Sequence, residues 1–289
     1  MSPSKNAGRV VCFGDLCIDI VARTPGHQAV ETDTTIEQLK IRVAGAAANC
    51  GIAAATAGAN VEVVGMVGAD PFGAMILERL KASGVGIRFV RQSDDQTGIV
   101  ISQVRPDGER SFLSYRGANA QSYGELPGTL LTDADYLYLC GYSLQGEASA
   151  ATALALKAQT PACLFDPTYL FAREFQTRHK EHVAGVHILT PNLEEAQLMT
   201  GRDSAEECAA ALRDFGVAIV IVKLGGRGCY VDAGSFTQLV ATEPVTGKVD
   251  TTGAGDCFCG TLLAKCLEGL DILKAAESAN DAARRVVCS

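Results

Sequence analysis

The most informative stretch of this chain lies near its carboxyl end, ahead of an apolar-periodic run over residues 257–267. It is Val249-Asp250-Thr251-Thr252-Gly253-Ala254-Gly255-Asp256. Its glycines let the backbone turn with N–H groups pointing outward, and a helix predicted to begin near Ala254 adds the positive end of its dipole. Asp256 either favours that dipole or accepts the proton of a hydroxyl that attacks a phosphoryl group held by the turn. The stretch therefore predicts an anion site with an acid beside it.

Elsewhere in the chain, short apolar runs alternate with segments of helical periodicity. The runs suit strands that are buried on both faces of a parallel sheet. Their alternation with helices predicts an open, three-layer α/β/α domain with a mostly parallel central sheet. The predicted strands span residues 9–13, 61–67, 136–140, 162–165, 186–189 and 218–224, and the predicted helices span residues 46–57, 72–83, 147–157 and 205–215.

Two stretches depart from this alternation. Residues 34–43 alternate apolar and polar side chains, and residues 98–115 contain two predicted strands joined by the turn Pro106-Asp107-Gly108. Alternation implies one solvated face, so we expect a small accessory β-sheet that projects from the main domain as a lid. The predicted lid comprises about residues 15–21, 34–43 and 97–116. No linker separates it from the rest, so residues 1–289 are predicted to form one domain.

The composition argues against several classes of function. The 289 residues are 47% hydrophobic and 20% charged, with a net charge of -8 and no basic stripe, so nucleic acid is not an expected partner. No run reaches the roughly 18 to 20 apolar residues of a membrane span, and the amino end lacks a secretory pattern. Eleven cysteines are scattered, several of them in apolar segments. This odd number favours reduced thiols and a cytoplasmic location.

Three other enzyme classes require motifs that the sequence lacks. A dinucleotide-dependent oxidoreductase needs G-x-G-x-x-G directly after the first strand, and a P-loop kinase needs G-x-x-x-x-G-K-[ST]. A zinc enzyme has little support, because the four histidines form no H-E-x-x-H and the pair Cys257-x-Cys259 has no partner pair.

With DTTGAGD at residues 250–256, the chain resembles the ribokinase or phosphofructokinase-B (PfkB) family of ATP-dependent sugar and nucleoside kinases. The resemblance covers about residues 10–285 and implies a ribokinase-like fold. It implies that Asp256 is the catalytic base and that the anion hole comprises Gly253, Ala254 and Gly255. ATP and Mg²⁺ are the implied cofactors. The resemblance also implies a cofactor contact from Thr251 and makes Asp250 a candidate ligand for a monovalent cation such as K⁺.

Two segments near the amino end are similar to the substrate-binding segments of that family. In Gly14-Asp15-Leu16-Cys17-Ile18-Asp19, the resemblance implies that Asp19 holds substrate hydroxyls, whereas by itself Asp19 suits a solvated loop. In Ala44-Gly45-Ala46-Ala47-Ala48-Asn49, it implies that Gly45 permits close approach of the substrate and that the Asn49 amide binds its hydroxyls. Taken alone, Asn49 is a residue of a helix start.

Three further segments match the nucleotide side of the family. The resemblance assigns Asn192 and Glu195 to Mg²⁺ and its waters near the phosphates, and the alternative is that they cap a helix. It assigns the glycine-rich loop after the strand at 218–224 to the nucleotide, through Lys223, Gly225 and Gly228. Asn280 is placed near the adenine, with an exposed helix position as its alternative.

These expectations converge on an ATP-dependent phosphotransferase that phosphorylates a primary hydroxyl of a small sugar. Ribokinases have a lysine in the segment that is Ala44–Asn49 here, and fructokinases often follow Asp-Pro with Asn-x-Arg, whereas Asp166-Pro167 is followed by Thr168-Tyr169-Leu170. The sequence therefore leaves the sugar open. The alternatives are a nucleoside kinase of the same family and, less favoured, a non-catalytic sugar- or nucleotide-binding regulator. A homodimer through the lid is also expected.

Overall fold

The computed structural model describes residues 8–26, 33–107, 109–245 and 251–288. Strands in these ranges form two sheets. They are β1 (Arg9–Phe13), β2 (Cys17–Arg23), β3 (Gln38–Ala44), β4 (Asn60–Gly68), β5 (Gly86–Ser93), β6 (Gly98–Val104), β7 (Arg110–Tyr115), β8 (Ala134–Cys140), β9 (Cys163–Asp166), β10 (Ile188–Leu189), β11 (Ile219–Lys223), β12 (Cys229–Asp232) and β13 (Thr237–Val240).

The larger sheet has nine strands in the order β13-β12-β11-β10-β9-β8-β1-β4-β5. Neighbouring strands are parallel from β5 to β11, and β12 and β13 add to the edge in antiparallel fashion. Because parallel strands all end at one edge, the polar residues that follow β1, β8, β9, β10 and β11 gather there.

Helices cover both faces of this sheet. They are α1 (Ala46–Thr56), α2 (Pro71–Ala82), α3 (Glu147–Gln159), α4 (Tyr169–Glu174), α5 (Lys180–Val183), α6 (Leu193–Thr200), α7 (Ala205–Arg213), α8 (Ala254–Leu267) and α9 (Ile272–Val287). One apolar cluster joins the sheet to α1, α2, α8 and α9, and a second joins it to the helices α3 to α7. Burial of each large apolar side chain contributes about 1.5–3 kcal/mol. The predicted three-layer, mostly parallel domain is confirmed.

The smaller sheet has the order β3-β2-β6-β7 and is the predicted lid. Its strands β6 and β7 form the expected antiparallel hairpin, in which Val104 pairs with Arg110. Gly108 of the predicted turn lies outside the described residues. β3 begins at Gln38, four residues after the start of the alternating stretch.

The six strands predicted for the large sheet are all present, with bounds within two residues of those expected, and β10 is the shortest of them. β5, β12 and β13 were not predicted. They lie at the two edges of the sheet, and their exposed or charged residues, such as Arg88 and Arg91 in β5, interrupt the apolar pattern of a buried strand. In the described ranges, no helix combines the length and apolarity needed to cross a membrane.

Candidate active site

The glycine-rich turn ahead of α8 has the geometry expected of an anion site. Gly253 adopts a left-handed conformation with φ of 78° at the N-cap, and the helix begins at Ala254. The Ala254 N–H donates to the Thr251 carbonyl at 3.1 Å, and the Cys257 N–H donates to Gly253. Between them, the N–H groups of Gly255 and Asp256 lie in the first turn, where a helix has no internal acceptors. Neither N–H has a hydrogen-bond partner outside the helix in the described residues, so both are available to an anion.

Asn49 lies beside Asp256, although 207 positions separate them in the chain. The Asn49 Nδ2 donates to Asp256 Oδ2 at 2.9 Å. Gly45 makes this possible at the start of α1, because its φ is 104° and a Cβ there would lie 2.2 Å from the Asp15 carbonyl oxygen. The chain thus passes directly from lid strand β3 into α1, with Asn49 in its first turns.

A second donor to the same carboxylate comes from strand β8 of the large sheet. Tyr138 on β8 is fully buried, and its hydroxyl donates to Asp256 Oδ1 at 3.4 Å. The pKa of Asp256 is raised from 3.8 to about 6, chiefly by burial and also by the nearby Asp166, while the Asn49 amide, Lys223 and Tyr138 act in the opposite direction. A carboxyl group with a pKa near 6 is ionised at neutral pH yet basic enough to take a proton.

A buried ion pair lies next to this carboxylate. Lys223 Nζ lies 2.6 Å from Asp166 Oδ1, and the Thr190 hydroxyl donates to the same oxygen at 2.9 Å. Burial by itself lowers the pKa of Lys223, but Asp166, Cys259 and Glu195 raise it above its usual value. A Cβ added to Gly255 would lie 3.4 Å from Lys223 Nζ. The ammonium group is therefore adjacent to the anion-binding turn, and it is held there by Asp166.

Asn192 and Glu195 form a complete capping box at the start of α6. The Asn192 side chain accepts from the Glu195 N–H, and Glu195 Oε2 accepts from the Asn192 N–H, both at 2.9 Å. The predicted capping role is confirmed. No described residue hydrogen-bonds the remaining Glu195 oxygen or Asn192 Nδ2, which leaves one acceptor and one donor for a ligand. Burial raises the pKa of Glu195 to about 7, and Lys223 opposes that rise.

The inner face of the lid carries a second charged group. Asp19 is buried, and its Oδ2 accepts from Arg42 Nε at 3.0 Å and from Nη2 at 2.8 Å, while Oδ1 accepts from Ser102 at 2.7 Å. Asp19 is thus not a solvated loop acid. Both of its oxygens already have partners, and Arg42 extends from it to the lining of a cavity of about 720 Å³ that Asn49 also lines.

The two glycines assigned to the nucleotide loop lie between β11 and β12. Gly225 and Gly228 have φ of 59° and 92°, and a Cβ on Gly228 would lie 2.0 Å from the Val240 carbonyl oxygen. Asn280 is buried and donates to that same carbonyl at 3.1 Å, so the alternative of an exposed helix position is wrong.

Two other residues of the cofactor prediction belong to the segment before α8. Thr251 is exposed just ahead of the turn at Gly253. The cation ligand predicted at Asp250 lies outside the described residues.

Several residues of this site were not predicted from the sequence. They include Tyr138, Asp166, Arg42 and the pair Asp15–Arg116, in which Arg116 Nη2 lies 2.8 Å from Asp15 Oδ1 at the end of β1. A weak signal existed for two of them. Tyr138 has a polar hydroxyl in an otherwise apolar strand, and a buried tyrosine hydroxyl usually has a hydrogen-bond partner. Asp166 is the last residue of a strand, at the edge of the sheet where ligands bind.

Comparisons with known proteins agree with this geometry. The family model described as "pfkB family carbohydrate kinase" matches residues 7–289. The chain is 31% identical over 283 residues to a fructokinase from Solanum tuberosum, covering 93% of this chain and 84% of that protein. Its fold is similar to that of an E. coli structure provisionally described as ribokinase II with ATP and Mg²⁺, with a TM-score of 0.85, 26% identity, and 98% and 93% of the two chains covered. Adenosine kinase from Sinorhizobium meliloti gives a TM-score of 0.87 at 19% identity, with 98% and 94% covered.

Proposed function

This chain belongs to the pfkB family of carbohydrate kinases, and from that premise we propose that Asp256 is the base that activates a primary hydroxyl of a small sugar for attack on ATP. The chain is an ATP-dependent sugar kinase with the ribokinase-like fold. The observation that carries the proposal is the position of Asp256, an ionisable carboxylate with a raised pKa in the first turn of a helix whose N–H groups are available to an anion.

In the proposed reaction, the carboxylate of Asp256 accepts the proton of the acceptor hydroxyl as the oxygen attacks the γ-phosphorus of ATP. The bond between the γ-phosphorus and the bridging oxygen breaks, and ADP leaves. Asn49 holds one carboxylate oxygen at 2.9 Å and so restricts the rotation of the side chain. General base catalysis of this kind contributes about 100- to 10,000-fold in rate. The base and the anion-binding turn belong to the same helix end, so the hydroxyl and the phosphoryl group that they hold are brought together.

The transferring group carries negative charge, and this chain offers three sources of compensation. They are the N–H groups of Gly255 and Asp256, the dipole of α8 and the Lys223 ammonium beside Gly255. Because Asp166 already neutralises Lys223, we assign the lysine the role of orienting a phosphate rather than supplying a full charge. Donors fixed in advance require no reorganisation when charge develops.

The residues at the start of α6 suit a hydrated magnesium ion. Mg²⁺ retains several waters and takes few protein oxygens, and Glu195 offers one buried carboxylate oxygen beside the amide of Asn192. Bound there, Mg²⁺ would neutralise negative charge on the phosphates of ATP. Its presence would also keep the Glu195 carboxylate ionised at neutral pH, which burial otherwise disfavours.

The proposed acceptor is a hexose or pentose, and fructose is the first candidate because the relative from Solanum tuberosum is named a fructokinase. Asp19, Gly45 and Asn49 are proposed to hold it beneath the lid, with Asp19 acting together with its partner Arg42. A nucleoside is the second candidate, favoured by the similarity in fold to adenosine kinase.

The deciding experiment measures ADP release from ATP and Mg²⁺ with fructose, ribose, 2-keto-3-deoxygluconate and adenosine. We expect turnover on one of them, and a loss of at least 100-fold in Asp256→Asn with ATP binding retained. Asp214→Asn, at an exposed position after α7, is the matched control and should stay active. A fully active Asp256→Asn enzyme would remove Asp256 from the mechanism. ATP binding without turnover would indicate an acceptor outside this panel, whereas no binding of ATP at all would favour the non-catalytic alternative.

We also propose that the chain forms a homodimer through the outer face of its lid. Registered across the four strands, Ile41, Ile20, Ile101 and Leu113 form one apolar row, and Leu113 is 63% exposed. Such a row on a small sheet is a surface that a partner usually covers. Sedimentation of Leu113→Lys should give a monomer where the parent gives a dimer, whereas Leu239→Lys, at an exposed leucine on β13, should leave the dimer intact. A monomeric parent would refute the proposal.

Two remaining proposals concern the surroundings of the enzyme. All eleven cysteines are free thiols and seven of them are buried between the sheet and its helices, which suits the reducing conditions of the cytoplasm. Potassium activation is proposed on the resemblance of the segment around Asp250. Assays in KCl and in tetramethylammonium chloride of equal ionic strength test it, and equal rates would exclude it.

A further inference from the structure

Tyr138 is a buried tyrosine whose hydroxyl contacts the base. Its side chain is fully buried in the centre of the large sheet, where it pairs with Cys12 of β1 and Leu164 of β9. Asp256 Oδ1, at 3.4 Å, is the hydrogen-bond partner of the hydroxyl in the described part of the chain. Buried tyrosine hydroxyls usually have a partner, and here that partner is the proposed catalytic carboxylate.

Each of the two oxygens of Asp256 therefore has its own donor. Asn49 donates to Oδ2 and Tyr138 donates to Oδ1. An ionised carboxylate has about four lone-pair positions, so each oxygen keeps one for a further donor. Two fixed donors determine the plane of the carboxylate and hence the direction of the remaining lone pairs. A donor to the ionised form also favours that form over the protonated one.

We propose that Tyr138 is a positioning residue that fixes the plane of the Asp256 carboxylate and keeps it ionised for proton abstraction. This inference rests on the proposed role of Asp256 as the base. It assigns a function to a residue of the sheet interior. Tyr136 provides the contrast, because it lies two positions earlier on the same face of β8, is only half-buried, and makes no hydrogen bond to Asp256.

Other charged and titratable groups face Asp256, and Tyr138→Phe leaves all of them in place. The Lys223–Asp166 ion pair lies at one side, and the thiols around it are neutral at working pH because burial raises the pKa of each. The groups that interact with Asp256, from every element packed against it, are Asn49, Cys50, Cys17, Tyr138, Cys140, Tyr142, Asp166, Lys223, Cys257 and Cys259.

The test compares Tyr138→Phe with Tyr136→Phe over pH 5 to 9. In Tyr138→Phe we expect kcat/KM to fall about tenfold at pH 7, the size of one lost hydrogen bond to a charged group. The midpoint of the acidic limb should move to higher pH, and the KM for ATP should not change. Tyr136→Phe should match the parent in all three. An equal loss at every pH, or the same loss in both variants, would overturn the proposal.

A second measurement needs no activity. Carbon-13 NMR of protein labelled at aspartate Cγ follows the Asp256 carboxyl directly, with the signal assigned by its absence in Asp256→Asn. The titration midpoint of this signal should be higher in Tyr138→Phe than in the parent and unchanged in Tyr136→Phe. An unchanged midpoint in Tyr138→Phe would overturn the proposal. If the parent phosphorylates no acceptor, the proposed function fails while this titration still tests Tyr138.

A third variant covers the case in which Tyr138→Phe does not fold. Replacement of Tyr138 by 3-fluorotyrosine preserves the packing and makes the hydroxyl a stronger donor. The acidic limb and the NMR midpoint should then move to lower pH, opposite to Tyr138→Phe. A shift in the same direction as Tyr138→Phe, or no shift, would contradict the role.

Discussion

Arg110 Nη1 lies 2.7 Å from Thr252 Oγ1, and this contact joins the last lid strand to the loop in front of α8 across 142 positions of the chain. The lid is therefore attached at the anion-binding turn itself. Its inner face, with Asp19 and Arg42, lies on the same side of the lid sheet as that attachment.

We predict that Arg110→Ala weakens the closed position of the lid. Loss of one partly exposed hydrogen bond is worth about 1 kcal/mol, so the KM for the sugar should rise about fivefold. Hydrolysis of ATP without acceptor should rise as well, because water enters an open site. Steady-state kinetics measure both. Arg105→Ala is the control, because Arg105 lies in the same hairpin but pairs with Glu109, and it should change neither quantity. An unchanged KM in Arg110→Ala would show that the contact between Arg110 and Thr252 does not hold the lid.

A second prediction separates magnesium binding from helix capping. In Glu195→Gln the side-chain oxygen still accepts from the Asn192 N–H, so α6 should remain capped, while the Mg²⁺ concentration for half-maximal rate should rise about tenfold. Glu207→Gln is the matched control, because Glu207 completes the equivalent capping box of α7 with Ser204. Titrations of kcat with Mg²⁺ at fixed ATP should show a higher half-maximal Mg²⁺ concentration in Glu195→Gln alone. The same increase in Glu207→Gln would indicate that the effect comes from helix capping and not from magnesium binding.

The pH dependence of activity follows from the raised pKa of Asp256. The base must be ionised, so kcat/KM should fall about tenfold per pH unit below its pKa of about 6. A rate profile in constant-ionic-strength buffers between pH 4.5 and 8 measures this. A flat profile down to pH 5 would mean that Asp256 does not act as the base.

The raised pKa of Asp256 also predicts that the stability of the fold decreases over the pH range in which activity increases. Because the folded pKa of Asp256 exceeds its unfolded value of 3.8, the folded state binds more protons between pH 4 and 6, and stability falls as pH rises through that window. Asp256→Asn should therefore raise the free energy of unfolding by about 1–3 kcal/mol at pH 8 and by little at pH 4. Urea denaturation at the two pH values measures the difference; a variant less stable than the parent at pH 8 would contradict it.

A fifth prediction concerns the contact between α1 and α8. A Cβ on Gly260 would lie 2.2 Å from the Cys50 carbonyl oxygen and 2.9 Å from the Ala53 Cβ, so Gly260→Ala must separate the helices. We expect a loss of about 3 kcal/mol and a lower Tm, with a fall in activity because Asn49 and Asp256 lie on these helices. Gly128→Ala, where a Cβ meets nothing within 4 Å, should melt like the parent. A Tm of Gly260→Ala equal to that of the parent would show that α1 and α8 accommodate the added methyl group without loss of stability.

Local patterns predicted the layers, the lid hairpin and the caps, because each depends on residues close together in the chain. The capping box of Asn192 and Glu195, for example, joins two residues only three positions apart. The partners within the site depend on distant residues instead. Lys223 and Asp166 are 57 positions apart, and the sequence around either residue gives no sign of the other. Likewise, nothing in the sequence near Asp19 indicates that Arg42 and Ser102 hydrogen-bond its two oxygens. Such pairs can be predicted only when the order of the strands in the sheet is known.

The separation of Asn49 and Asp256 by 207 positions has a consequence for how the enzyme is made. Helix α1 packs against α8, which carries the buried Leu262 and Leu263 and is synthesised after it. At about 5–20 residues per second, roughly 10 to 40 s pass between translation of the two partners. During that interval the nascent chain presents an uncovered apolar layer, a surface on which chaperones act.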